Sequence, residues 1–459
     1  MTKAKALPYQ RQGVQRLEQF GGRGLLADEM GLGKTLQALW YLRRARVGTT
    51  FPAVVVCPAS VKYGWQHEAS THVGLHSHVL EGTKPPPGGG WTDPPPLTIL
   101  NYDILKHWLP VLRDLRPQCI ILDECHYAAN RRAQRTKAVQ ALCRDVPQVL
   151  ALSGTPLTNR PAELWTVLNV LRPDLFPSFF TFAQRYCDPK KKPWGWEFKG
   201  ATRLPELHDL LHGACMVRRR KADVLQDLPQ KFRKVVPMEL HGRDEYTLAN
   251  NDFRSWLKQH AAARYTTATR AEKLTKIGYL LRLAARLKLP SVVQWANDWL
   301  EETGEKLVVF AVHKACIAGL REGLQAASVV VDGSVTGKHR REAVQQFRRD
   351  PNCRVFIGNI KAAGTGIDGL QEAASTMAFA EIWWRPADHT QAEDRLHRIG
   401  QDMPTDVNYL IAGDTIEEQL CRVVQRKQAV LGDVLDGGGT DDDLDVLDRL
   451  LEAMGNEVW

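Results

Sequence analysis

Gly24-Leu25-Leu26-Ala27-Asp28-Glu29-Met30-Gly31-Leu32-Gly33-Lys34-Thr35 decides the fold. Its first four residues suit a short buried strand. Its last five form a glycine-rich turn that runs into an apolar helix beginning at Leu36. Backbone amides of such a turn, together with the helix N-terminus, cradle a phosphate. A lysine there adds a point charge, and a hydroxyl after it can ligate magnesium. Asp28, Gly31, Leu32, Gly33, Lys34 and Thr35 are therefore the candidate nucleotide-binding residues. The strict G-x-x-x-x-G-K-[ST] pattern fails at its first glycine, where Asp28 stands.

Working outward, apolar runs recur with helical stretches between them: Ala53 to Cys57, Thr98 to Leu100, Cys119 to Leu122 and Gln148 to Leu152. Short continuous apolar runs of this kind read as strands of a parallel sheet buried on both faces. A second series runs through Lys306 to Val312, Ser328 to Val331, Arg354 to Ile357, Thr376 to Phe379 and Val407 to Ile411. The expected fold is α/β, with two parallel-sheet lobes in tandem. Its parts are a first ATP-binding lobe at 1–173, a helical insertion and connector at 174–300, a second lobe at 301–430, and an acidic tail at 431–459. A chain of 459 residues supports two large domains, because single cores stop growing at roughly 250 to 300 residues. The Pro- and Gly-rich stretch from Gly82 to Pro96 reads as an exposed loop.

The strand Cys119 to Leu122 ends in Asp123-Glu124-Cys125-His126. One carboxylate at a strand tip can hold magnesium while its neighbour orients and deprotonates an attacking water, which gives Asp123 the metal and Glu124 the base. Ser153-Gly154-Thr155 closes another apolar strand with a hydroxyl-rich turn, and its place after the first two motifs suits a segment coupling hydrolysis to movement. Far downstream, Gln391-Ala392-Glu393-Asp394-Arg395-Leu396-His397-Arg398-Ile399-Gly400-Gln401 sets two arginines three apart, one face if the segment is helical. Arginines so placed can reach a triphosphate from a second domain, a contribution of about 10³ to 10⁵ in rate in related chemistry.

The net charge of +9 is unevenly spread. From Leu431 to Trp459 nine acids face one base, so the rest of the chain carries about +17 and suits a polyanionic partner. After Gly437-Gly438-Gly439, Leu444, Leu447, Leu451 and Met454 fall on one face of a candidate terminal helix that starts among acids. Docking of its apolar stripe, covering of a basic cleft, or recruitment of a protein partner are the open readings of this tail. The nine cysteines form no C-x-x-C pair, which argues against zinc and disulfides. No apolar run reaches the roughly 18 residues of a membrane span, and Met1 to Pro8 lacks a signal-peptide core, so a cytosolic or nuclear protein is expected.

These motifs, in this order, resemble the Swi/Snf-type ATPases of helicase superfamily 2, closest to the annealing-helicase and fork-remodelling subgroup. The resemblance runs from Leu7 to about Leu431 and rests on Asp28 to Thr35, on Asp394-Arg395-Leu396-His397-Arg398-Ile399-Gly400-Gln401, and on the segment Val217 to Pro229. It implies two RecA-like lobes, ATP and magnesium as cofactors, and double-stranded or forked DNA as partner. Leu7 to Val14 resembles the family's adenine-reading entry motif, which would put Gln10 on the base. Val56 to Ser60, Asn101 to Asp103, Val309 to Lys314, Val331 to Ser334 and Gly358 to Gly366 fill the remaining helicase positions. By that resemblance Ser60, Asn101, His313, Lys314, Thr365 and Trp384 are candidate DNA contacts. Gly366 joins the nucleotide set, and Ser153, Gly154, Thr155 and Gln391 the coupling set.

The family's Leu-Asn-Leu-Thr-Ala-Ala stretch is replaced here by Ile367-Asp368-Gly369-Leu370-Gln371-Glu372-Ala373-Ala374, longer by two residues and acidic. Acids beside a phosphate backbone weaken contact, so Asp368 and Glu372 are not expected to bind DNA. The first motif begins at residue 7 and no reader, nuclease or zinc module is recognisable, so the chain reads as nearly a bare motor. The expected activity is ATP-driven translocation on duplex DNA. Two competitors are a strand-separating helicase, which lacks a recognisable pin or wedge, and a nucleotide-gated clamp, which would not need Lys34, Glu124 and Arg398 together.

Overall fold

The computed structural model describes residues 6–44, 49–85, 94–156, 161–193, 195–198, 200–259, 267–335, 337–363 and 367–435. Thr365, Gly366 and most of the acidic tail lie outside them. In chain order the strands are β1 (Arg23–Leu26), β2 (Ala53–Cys57), β3 (Ser77–Val79), β4 (Leu97–Asn101), β5 (Cys119–Asp123), β6 (Gln148–Leu152), β7 (Lys190–Lys192) and β8 (Gly195–Glu197). They continue as β9 (Met216–Val217), β10 (Lys231–Met238), β11 (Leu307–Ala311), β12 (Ala327–Val331), β13 (Cys353–Asn359), β14 (Thr376–Phe379) and β15 (Thr405–Ala412). Two compact units result, with the change from one to the other at Asp227 and Leu228.

The first unit carries a parallel sheet in the order β3-β4-β2-β5-β6-β1-β9. Its central strands are apolar throughout because both faces are covered. In β2, Val54 and Val56 enter one core with Leu25 and Ala27, while Ala53, Val55 and Cys57 enter the opposite core with Leu26. That two-residue alternation is the pleat. Register then positions the chemistry: Asp123 lies opposite Leu152, and Leu152 opposite Leu26. The residues that follow these strands, Asp28, Glu124 and Ser153, therefore leave the sheet side by side at its carboxyl edge, where open α/β sheets bind ligands.

The second unit repeats the plan with six parallel strands in the order β10-β15-β14-β11-β13-β12. Val308 and Phe310 face one core, and Leu307, Val309 and Ala311 the other.

The stretch 174–300 is less uniformly helical than its sequence reads. The helices Phe179–Tyr186, Leu204–Ala214, Arg243–Gln259 and Thr267–Thr303 are present, but β7 to β10 lie among them. β9 has only two residues and pairs with β1. β10 is an edge strand whose exposed Arg233 and Lys234 hide its character, and charge on an edge discourages stray pairing. Lys231 and Arg233 reach Glu393, buried completely, at 2.8 and 2.7 Å. Burial opposes ionisation of Glu393, but Lys231 and Arg233 outweigh it and hold the carboxyl far below its usual range. All nine cysteines are buried and free. Among the described residues no helix is long and apolar enough to cross a membrane.

Candidate active site

The turn after β1 requires its glycines: Gly31 and Gly33 have φ of 84° and 74°, the left-handed region that favours glycine. A Cβ on Gly33 would sit 2.6 Å from Gln10 Nε2, so the turn also needs the space. Gln10 is buried, and its Nε2 donates to the Leu32 carbonyl at 3.1 Å, as does the Tyr9 hydroxyl. Lys34 opens the helix Lys34–Arg44, and its ammonium donates to the Asp28 carbonyl at 2.8 Å, spanning the turn. Thr35 follows in the first helical turn.

Asp28, grouped with the nucleotide ligands on sequence grounds, has a different task. Its carboxylate is fully buried, accepts Gln37 Nε2 at 2.9 Å and Arg219 Nε at 2.9 Å, and forms an ion pair with Arg219. A buried carboxylate requires such a partner, and with its charge matched Asp28 fixes the turn from beneath.

At the tip of β5, Asp123 Oδ2 accepts Trp65 Nε1 at 2.8 Å and Oδ1 accepts the Glu124 amide at 3.0 Å. Burial, then the charge of Glu124, raises the Asp123 carboxyl above its ordinary range, with Trp65 and Lys34 opposing. Glu124 sits at φ 48°, a strained position for a residue with a side chain, and that strain turns its carboxylate toward the next strand. Ser153 Oγ donates to Glu124 Oε2 at 3.3 Å, and His126 Nδ1 lies 3.3 Å from both groups. The Thr155 amide donates to Ser153 Oγ at 3.2 Å. A Cβ on Gly154 would meet Lys34 Nζ at 3.2 Å, which places the Ser153–Thr155 turn against the phosphate-loop lysine. Lys34, Asp123, Glu124, Ser153 and Gly154 are thus brought together. Trp65 and Gln37, which no motif contains, join them, as do His126 and Arg219 from the segments Asp123 to His126 and Val217 to Pro229.

In the second unit the helix Pro386–Glu393 ends before the two arginines, so Arg395 and Arg398 stand on turns and not on one helical face. They converge nonetheless. Arg395 donates to Asp368 at 3.1 Å and to the Ile367 carbonyl at 3.0 Å, and Arg398 forms a shorter ion pair with the same Asp368 oxygen. Surrounding protein raises the Asp368 carboxyl, but Arg398 and then Arg395 outweigh it and bring it to about 2. The acidic insertion is therefore a counter-ion for the arginine pair, and its other acid, Glu372, pairs with Arg348.

The DNA candidates fall on both units. Ser60 lies in a short turn after β2, and Asn101 is buried at the end of β4. Lys314 is exposed at the start of the helix Lys314–Gly323. His313, expected at the DNA, has its Nδ1 2.5 Å from Glu381 Oε1, while Glu381 Oε2 accepts the amides of Val312 and His313. Its ring is committed within the unit because Glu381 is buried and needs a donor. Trp384 packs half-buried against the second core, 5.5 Å from the Trp383 ring, and Gln391 is buried.

Residues 9–288 match the SNF2-related domain and residues 288–400 the helicase conserved C-terminal domain. The chain belongs to the SNF2-related family. It is 35% identical over 433 residues, 93% of its length, to the SWI/SNF-related matrix-associated actin-dependent regulator of chromatin subfamily A-like protein 1 of Xenopus laevis, covering 44% of that protein. It is 32% identical over 452 residues, 95% of its length, to the DNA annealing helicase and endonuclease ZRANB3 of Bos taurus, covering 41% of that protein. The chain thus spans less than half the length of these relatives. Among solved structures, the Sulfolobus solfataricus SWI2/SNF2 ATPase core in complex with dsDNA matches with a TM-score of 0.44 at 23% identity, covering 95% of this chain and 94% of that one.

Proposed function

We propose that this SNF2-related chain is an ATP-dependent translocase on double-stranded DNA, acting in fork remodelling or strand reannealing wherever the cell keeps its DNA. The observation that carries the reading is the link between Glu124 and Ser153 beside the Lys34 turn. A hydrolytic base joined by hydrogen bonds to a neighbouring strand turn transmits its state to the sheet edge.

The turn at Gly31 to Gly33 and Lys34 would bind the phosphates, with Gln10 beside the base. Thr35 and Asp123 supply the hard oxygen donors that magnesium takes, and the raised Asp123 carboxyl fits a place where a cation relieves repulsion from Glu124. Bound magnesium would neutralise charge developing on the phosphates. Glu124 orients the attacking water and takes its proton, and His126 and Ser153 hold that carboxylate in place. Arg395 and Arg398 stabilise the transferred charge and are released from Asp368 as they do so. Grip on the phosphate backbone makes the cycle independent of sequence and sensitive to salt.

The test is the ATPase rate with blunt duplex, single-stranded and forked DNA. Stimulation by duplex supports the reading; stimulation by single strands alone contradicts it. Glu124→Gln should retain ATP binding and lose turnover by about 10² to 10⁴. Full turnover in that variant would remove Glu124 from the role of base.

A further inference from the structure

β7 and β8 form a hairpin that joins neither large sheet. Isolated two-stranded hairpins are marginal in water, so something else must hold this one. Its anchor is aromatic. Arg131 lies 3.9 Å over the Phe179 ring, Phe179 meets Phe198 edge-on at 5.8 Å, and Phe198 meets Phe180 at 5.8 Å. Trp196 caps the series against Phe180 and Phe198. The inner rings explain the anchoring. Trp196 and Phe180, each 45% exposed, stand at its outer side and present apolar surface to solvent.

Those rings are set among cations. Lys191 lies directly across the hairpin from Trp196 and therefore shares its face. From Asp188 to Lys199 four lysines stand against two acids. A protein-docking patch has its charge at the rim and not at the centre, whereas exposed aromatics interleaved with lysine are how polynucleotides are held outside a duplex. Lysine takes the phosphate and the ring takes a base face. In a duplex the base faces are covered by their neighbours, so a ring outside the helix reaches one only at a duplex end or on an unpaired strand.

We propose that the hairpin Lys190–Glu197 is a binding site for an unpaired nucleobase at a single-strand to duplex junction in DNA, with Trp196 as the stacking surface and Lys191 as the phosphate contact. The proposal rests on DNA being the substrate, and it adds a site that touches what the motor meets at a fork.

The test is equilibrium binding of the full chain, without nucleotide, to forked and blunt duplex DNA of equal phosphate count. Trp196→Ala, a substitution at an exposed ring, should weaken fork binding about tenfold and leave blunt duplex within about twofold, and Trp196→Tyr should restore the fork. A 5-iodouracil at the first unpaired position should cross-link to residues 190–198. Equal loss on both DNAs would mean a general backbone contact, and no loss on either would mean a surface for something other than DNA; each overturns the proposal. Because no ATP is present, failure of translocation in the wild-type chain would sink the motor reading and leave this ratio intact.

Discussion

The two units each contain an aspartate held by arginine, and the two pairs behave oppositely. Asp28 is fully buried and Arg219 exposes only 15% of its side chain, so that pair cannot open without stranding a charge. Asp368 exposes 58% of its side chain and shares one oxygen between Arg395 and Arg398, which expose 11% and 24% of theirs, so water reaches the carboxylate. The first pair is a fixed foundation for the phosphate turn. The second joins two arginines to a carboxylate that water reaches.

Removing an arginine of the second pair should produce the largest effect and should fall on turnover. Arg398→Ala is expected to lower DNA-stimulated kcat by about 10³ or more, with thermal unfolding nearly unchanged. A variant that unfolds early and turns over normally would reverse the comparison. Arg219→Met should do the converse by leaving Asp28 buried and unpaired, costing about 3 to 5 kcal/mol of stability in urea unfolding of the nucleotide-free chain. A cost below about 1 kcal/mol would show that Asp28 is less committed than its burial indicates.

The smallest effect belongs to Asp368→Asn. Because the carboxylate itself is largely exposed, its loss should change stability by no more than about 1 kcal/mol at neutral pH, and less in high salt. The sign with pH is definite. A carboxyl held near 2 by arginines contributes stability above its unfolded value of about 4, and that contribution is lost as pH falls toward 2. The wild-type and Asp368→Asn stability curves should therefore converge over that window. Curves that stay parallel from pH 5 to pH 2 would remove Asp368 from the account.

The same contrast explains what the sequence does and does not disclose. Asp123, Glu124 and Ser153 are legible because they close continuous apolar runs, and Lys34 because a glycine turn leads from such a run into a helix; parallel register brings the ends of these runs together. The partners that hold them are not legible. Arg219 lies 191 residues from Asp28, and Trp65 lies 58 from Asp123, so no local spacing joins them. Arg395 and Arg398 are readable as a pair but not as turn residues: their helix ends at Glu393, whose carboxylate is held by Lys231 and Arg233 from a strand distant in sequence. That strand, charged along its exposed edge, lacks the apolar run that reveals the others. The hairpin Lys190–Glu197 escapes for a related reason: its strands have three residues each, too few to show alternation.

The central claim is that hydrolysis at Glu124 drives motion along duplex DNA, and triplex displacement measures it most directly. With ATP and magnesium, the wild-type chain should remove a third strand from a duplex track at a rate that depends on ATP, and Glu124→Gln should not. Robust duplex-stimulated hydrolysis with the third strand left in place would contradict the account.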